Sequence, residues 1–477
     1  MKRPNILLIL IDDMGWRDTG CYGSPFYETP NVDGLAGEGM RFTDAYAACP
    51  VCSPTRASIL TGKYPARLGL TNYIAEFGEH PARGRLIDAP YVDHLPLTER
   101  NLARTLKAAG YATWHVGKWH LGAEPYWPER QGFEVNVGGC DWGHPHQGFF
   151  CPWGIPTLED RTEGEYLTDR LTDEAIQLIR GHGDRPFFLY LPYYAVHVPI
   201  EAKEHLVEKY RRKAASLGLD AVQAFAEGDY FPCEHKKDRR VLRRLIQSDP
   251  AYAAMIETLD GNIGRLLRTL EETGKSDDTV VIFTSDNGGA GYLGLPEVNQ
   301  PYRGWKITFF EGGIRVPLFM QWPAVIPAGV EFDRPVHHFD IYATAASAAG
   351  APLPGDRIID GVDLLPYARQ EREGEPHRAL FWRSGHYQVV QSQGWKLQRA
   401  ARPERVWLFD MNNDPTEQRE VSAAQPGKVA ELLALLNEHN ASQAEPMWPS
   451  RAELPVLIDK TLAEPQDPTD EYVYVPN

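Results

Sequence analysis

The chain has 477 residues, with 49 Lys and Arg against 65 Asp and Glu, a formal charge of −16. Hydrophobic residues make up 43% and charged residues 24%, a balance that supports a packed core and excludes wholesale disorder. An acidic chain disfavours broad wrapping of nucleic acid or of an anionic membrane, yet leaves room for a small anionic substrate in a locally positive site.

The first apolar run is Ile6–Ile11. It falls far short of the roughly 20 residues that span a bilayer, and reads as a buried strand. Lys2-Arg3-Pro4 leads straight into it, without the apolar stretch and cleavage site of a signal peptide. The chain as given therefore reads as cytoplasmic, or as the mature form of a periplasmic or secreted protein. Leu102 and Leu106 with a stop at Gly110 predict a helix, and Leu167, Leu171, Ala175 and Leu178 predict a second. Phe187–Leu191 is the next strand. Asp249-Pro250 opens a longer helix through Met255, Leu259, Ile263 and Leu266, ending near Gly274. Val280–Thr284 and Val316–Met320 are further strands. This alternation predicts an α/β fold over 1–365, a large mostly parallel sheet sandwiched by helices, with its chemistry at the carboxyl ends of the strands.

The pattern changes after about residue 365. Trp382, Tyr387–Gln391, Trp395–Gln398 and Trp407–Asp410 read as four short strands with turns at Gly385 and Gly394, and Val429–Leu436 reads as a helix. They predict a C-terminal subdomain over 366–477: a small four-stranded antiparallel sheet, a packed helix and an extended tail. Within the tail, Tyr472–Val475 suits an edge strand. Six cysteines without regular spacing do not make a disulfide scaffold.

Two strand ends carry paired oxygen ligands. Asp12-Asp13 follows the first strand, and Asp286-Asn287 follows Val280–Ser285. Each pair suits either a helix-capping turn or half of a site for a hard divalent ion. Cys52-Ser53-Pro54-Thr55-Arg56 is the strongest motif. Pro54 suits a first helical turn, which places Cys52 just before a helix N-terminus, where backbone N–H groups favour anionic oxygens. Arg56 follows one turn later and suits an anion. Cys49 and Cys52 also match the C-x-x-C spacing of a redox dithiol, but that reading leaves Pro54 and Arg56 without a role.

The Cys52-x-Pro54-x-Arg56 motif with Thr61-Gly62 resembles the signature of the type I sulfatases of the alkaline phosphatase superfamily. Tyr111 through Gly122 is similar to the family's second signature, and Arg303 through Pro317 to another. Asp12-Asp13, Ala195 through Pro199 and Asp286-Asn287 stand in the expected order. The overall look is nearest N-acetylgalactosamine-6-sulfatase, arylsulfatase A and polysaccharide sulfatases. The resemblance implies an alkaline phosphatase-like fold and a sulfuric ester hydrolase. It implies that Cys52 is oxidised to formylglycine by a formylglycine-generating enzyme. The hydrated aldehyde then attacks sulfur through a covalent sulfate ester. One divalent ion, calcium, is implied at Asp12, Asp13, Asp286, Asn287 and residue 52. Lys118 would meet the sulfate oxygens, Arg56 would orient the nucleophile and His120 would be a base for the second hydroxyl. His197 and Lys306 would serve the leaving oxygen. Phosphonate monoester or phosphodiester hydrolases share the Cys52 signature and are the alternative.

The loop Gly138 through His146 carries Trp142, His144 and His146. It suits either the leaving-group side of the site or a surface loop whose Trp packs on the core. His94, Arg83 and Arg85 are further candidates to extend the pocket, whereas His115 is expected to pack internally. A small sulfated saccharide is the expected substrate, with no nucleic-acid or membrane partner.

Overall fold

The computed structural model describes residues 3–74, 92–230, 238, 240–291, 295, 297–401, 404–445, 453–460, 464–465, 467–470 and 472–476. Asn5–Ile11 forms the central strand of the main sheet, with all seven residues buried. Its parallel neighbours are Phe187–Pro192 and Thr279–Ser285. Among the described residues this sheet has eight strands, in the order Val330–Phe332, Met40–Phe42, Leu318–Gln321, Thr279–Ser285, Asn5–Ile11, Phe187–Pro192, Ala112–Val116, Val135–Val137. Leu318–Gln321 runs antiparallel to both of its neighbours. The rest of the sheet is parallel, as the continuous apolar runs predict.

Side chains on a strand alternate between faces, so one run of aliphatic residues feeds two cores. Leu7, Ile9 and Ile11 join one cluster with Leu171 and Ala175 of Leu167–Arg180 and with Leu259 and Ile263 of Pro250–Glu272. Ile6, Leu8 and Leu10 join another with Ile59 and Leu60 of Cys52–Thr61, Leu102 and Leu106 of Leu102–Ala108, and Tyr342 of Asp340–Ala348. Asp249 caps the long helix, its carboxylate accepting from Ala251 and Tyr252 N–H.

The four C-terminal strands, Leu380–Ser384, Tyr387–Ser392, Trp395–Ala401 and Glu404–Asp410, pair antiparallel in chain order. Val390, Leu397 and Leu408 meet Leu432 and Leu436 of the helix Pro426–Asn440. The opposite face, including Trp382, Val389 and Trp407, packs on Tyr46, Phe309, Phe310 and Phe339. The tail differs from expectation. Tyr472–Pro476 pairs with Glu453–Leu457 as a separate two-stranded sheet instead of extending the four-stranded one. Among the described residues, no helix is long and apolar enough to cross a membrane.

Candidate active site

Strand register sets the first carboxylates. Ile11 pairs with Ser285, so Asp12-Asp13 and Asp286-Asn287 leave adjacent parallel strands side by side, about 4.8 Å apart at the backbone. Asp286 N donates to Ile11 O at 2.9 Å, and Asp13 N to Asp286 Oδ1 at 3.1 Å. Ser285 ties the two turns together: its Oγ accepts from Met14 N at 3.0 Å and donates to Asn287 O at 2.9 Å. Asp13 itself sits in the left-handed region at φ 62°, a conformation that the surrounding bonds must hold.

The helix Cys52–Thr61 brings the nucleophile candidate. Cys52 is its first residue and Val51 takes the capping position, one residue earlier than Pro54 alone suggested. Cys52 Sγ donates to Asp12 Oδ1 at 3.5 Å. Arg56, four residues on, falls on the same helix face. Its Nε and Nη2 reach Asp286 Oδ2 at 3.1 and 2.8 Å, and its Nη1 donates to Lys118 O at 3.1 Å.

Lys118 follows Gly117, which has φ 123°. A Cβ on Gly117 would lie 1.9 Å from Pro192 O, so glycine alone permits this approach. Lys118 N donates to Pro192 O at 2.7 Å, and its Nζ reaches Asp12 Oδ2 at 2.6 Å. Lys306 Nζ donates to Asp13 Oδ2 at 2.7 Å and lies 3.2 Å from His197 Nε2. His197 Nδ1 donates to Val198 O at 3.1 Å, which leaves Nε2 as acceptor toward Lys306.

Charge and burial set the protonation states. Burial pushes Asp12 up to about 7, with Lys118 and Arg56 opposing. Burial alone would raise Asp13 and Asp286 too, but the Lys306 ammonium leads the opposition at Asp13, and Arg56 with Lys118 at Asp286, so both carboxyls fall below their ordinary value. Burial and the Lys306 ammonium push His197 down to about 3, which makes it a neutral imidazole at neutral pH. Burial raises the Cys52 thiol and pushes Cys49 up to about 12. Both are buried thiols outside any disulfide, and a raised thiol is poor chemistry for a redox dithiol.

The donors suit a divalent cation. Asp12, Asp13, Cys52 and His197 each offer a ligand atom, all within 4.8 Å of one another. Asn287 Nδ2 donates to Asp13 Oδ1 at 2.7 Å and to Gly288 O at 2.9 Å, while its Oδ1 is buried without a hydrogen-bond partner. An orphaned amide oxygen among three buried carboxylates is a donor set for a divalent ion.

Asp12, Asp13, Cys52, Arg56, Lys118, His197, Asp286, Asn287 and Lys306 thus converge. His120 stands beside them, also left-handed at φ 55°. Its Nε2 donates to Ile74 O at 2.8 Å, and Ile74 N donates to Ser53 Oγ at 3.0 Å. His115 is buried among Trp119, Phe133 and Tyr190, with Nδ1 3.2 Å from Asn136 Oδ1. His94 stacks on Tyr126 at 3.6 Å. Arg83 and Arg85 lie outside the described residues. Sequence reasoning missed Asn299, whose amide clamps Gly289 through bonds of 3.0 and 2.9 Å, while Lys306 N donates to Gly289 O at 3.1 Å. It also missed His338, buried with Nε2 3.1 Å from Thr284 Oγ1. An asparagine or histidine in an unmarked loop carries no signal of such a partner.

The sulfatase family model matches residues 4–351. The chain belongs to the sulfatase family. A second model, for the C-terminal part of N-sulphoglucosamine sulphohydrolase, matches residues 304–443. N-acetylgalactosamine-6-sulfatase of Canis lupus familiaris is 35% identical over 388 residues, which cover 76% of this chain and 65% of that protein. The chain therefore spans slightly under two thirds of that relative's length. A sulfatase of Formosa agariphila is 31% identical over 514 residues, covering 91% of this chain and 87% of that one. Among solved structures, Ps i-CgsB in complex with k-i-k-neocarrahexaose superposes with a TM-score of 0.74 at 27% identity, covering 94% and 95% of the two chains. The family implies a divalent metal and a formylglycine in general terms.

Proposed function

We propose that the protein is a sulfuric ester hydrolase that removes sulfate from a sugar hydroxyl, with Cys52 oxidised to formylglycine as the nucleophilic residue. One observation carries this reading: Cys52 begins a buried helix against Asp12, among three buried carboxylates and the three cations Arg56, Lys118 and Lys306 that pair with them. Asp12, Asp13, Asp286, Asn287 and residue 52 would hold one divalent ion. Their oxygens suit Ca2+, which when bound offsets charge on sulfate oxygens. As formylglycine, residue 52 would supply a hydrated aldehyde, with one hydroxyl to displace the sugar alcohol from sulfur and a second whose deprotonation would reform the aldehyde and release sulfate.

The remaining steps belong to this chain's own side chains. Lys118 places positive charge against Asp12, where sulfate oxygens would gather, and Arg56, held on Asp286, orients the nucleophile. Lys306 donates toward neutral His197, and this pair delivers a proton to the leaving oxygen. The bond from His120 Nε2 to Ile74 O sets its tautomer, which makes Nδ1 the basic nitrogen for the second hydroxyl.

A sulfated saccharide is supported by the names of the canine relative and of the neocarrahexaose complex. Maturation would need a formylglycine-generating enzyme as partner. We assign the chemistry to a catalytic unit of residues 1–365 and a supporting role to 366–477. Parallel kinetics on an aryl sulfate and the matching aryl phosphonate test the reaction class. A higher kcat/KM for the sulfate is expected; a higher value for the phosphonate would overturn the assignment.

A further inference from the structure

Resting on the sulfatase reading above, we propose that the rings of Trp142, His144 and His146 form the subsite for the leaving alcohol and select a hydroxylated sugar over an apolar alcohol. The three rings make a continuous row that ends at the site. Trp142 stacks on His146 at 4.0 Å with planes 24° apart, His146 meets His144 at 4.8 Å, and His144 lies parallel to His197 at 5.9 Å and 19°. His197 in turn faces Lys306 at 3.2 Å. These two groups serve the leaving oxygen, so whatever that oxygen carries continues toward His144.

The row is anchored at both ends. His120 N donates to Cys140 O at 3.0 Å, and Tyr194 OH donates to Gly138 O at 2.9 Å. Phe149 N donates to Glu201 Oε2 at 2.8 Å, and a turn closes through Gly148 N to Pro145 O at 3.0 Å. The loop thus bridges the two segments that carry His120 and His197. Trp142 also leans on the main core. All three rings are half-buried: held in place, yet open to a ligand. Such a pre-ordered surface loses little entropy on binding.

Its chemistry is specific. A ring face suits the C–H face of a pyranose. Imidazole nitrogens suit hydroxyl groups. A flat aliphatic alcohol such as a sterol would instead need an aliphatic wall, which a row of one indole and two polar imidazole rings does not offer.

The test compares three esters, a monosulfated N-acetylhexosamine, a steroid sulfate and nitrophenyl sulfate, on the wild type and on Trp142→Ala, His146→Ala and Trp142→Phe. The wild type is expected to prefer the sugar ester to the steroid ester in kcat/KM. Each alanine variant should lower the sugar-to-nitrophenyl ratio by about tenfold, chiefly through KM. Trp142→Phe keeps a ring and should hold the ratio near that of the wild type, which separates lost stacking from misfolding. A preference for the steroid ester, or alanine variants whose ratio stays within about twofold of the wild type, would overturn the subsite alone. A wild-type protein that hydrolyses none of the three would overturn the sulfatase reading and the subsite with it.

Discussion

Replacing Lys396 by Met perturbs the joint between the C-terminal sheet and the Lys306 loop. Lys396 Nζ lies 2.9 Å from Glu311 Oε1 and 2.8 Å from Glu417 Oε1, and all three side chains are fully buried. Glu311 also accepts from Tyr46 OH and Arg315 Nη1, both at 3.1 Å. Glu417 Oε2 accepts from Glu311 N at 2.7 Å. Loss of the ammonium leaves a buried carboxylate uncompensated, which costs about 3–5 kcal/mol. An unfolding entropy of about 2.1 cal/mol/K per residue, applied to 477 residues, gives about 1 kcal/mol/K. A drop in Tm of about 3–5 °C follows if the chain unfolds as one unit. Arg180→Met is the control: its ion pair with Glu272 is more than half exposed at both ends and should shift Tm by less than about 1 °C. The deficit should also depend on pH. Burial pushes Glu417 up to about 7 even with Lys396 present, and removing Lys396 raises it further. A carboxyl raised in the folded state stabilises at low pH and loses that contribution as pH rises through its folded value. Differential scanning calorimetry from about pH 5 to about pH 8 should therefore show the deficit widening with pH. A shift no larger than that of Arg180→Met, or a deficit that narrows as pH rises, would refute the reasoning.

Chelation should lower Tm and stop sulfate release together, and Ca2+ should restore both; restoration by Zn2+ but not by Ca2+, followed by thermal melts, would contradict an oxygen-ligated site. Lys306→Ala should cut kcat by about 10²–10³ for a sugar ester but far less for nitrophenyl sulfate, whose leaving group needs no proton; equal losses would remove Lys306 from acid catalysis. Burial pushes His115 down to about 3, so the unfolded chain takes up its proton near pH 6.5 while the folded chain does not. The wild type should lose up to about 2 kcal/mol relative to His115→Phe between about pH 7.5 and pH 5 in urea titrations; a constant difference would mean that His115 titrates normally.

The parts of the fold that local pattern dictates were legible. Ile6–Ile11 could only be a two-faced buried strand, and its register with Val280–Ser285 explains why Asp12-Asp13 and Asp286-Asn287 meet. The four C-terminal strands were equally visible, because aromatic residues alternate between glycine turns. Short edge strands such as Met40–Phe42, Val135–Val137 and Val330–Phe332 carry too few residues to show a period. The Asn299 clamp on Gly289, the Ser285 tie and the path from His120 through Ile74 to Ser53 join side chains to backbone atoms, and propensity does not mark those partners. The tail paired with Glu453–Leu457 because a backbone edge takes whichever strand packing brings alongside.

The most direct measurement is sulfate release from a sulfated sugar by protein matured with a formylglycine-generating enzyme, set against Cys52→Ala and Cys49→Ser, with the residue-52 peptide weighed by mass spectrometry. Release is expected only where the peptide mass shows sulfur exchanged for oxygen at residue 52. Cys49→Ser should retain it and Cys52→Ala should lose it. Sulfate release by Cys52→Ala at the wild-type rate would contradict residue 52 as the nucleophile.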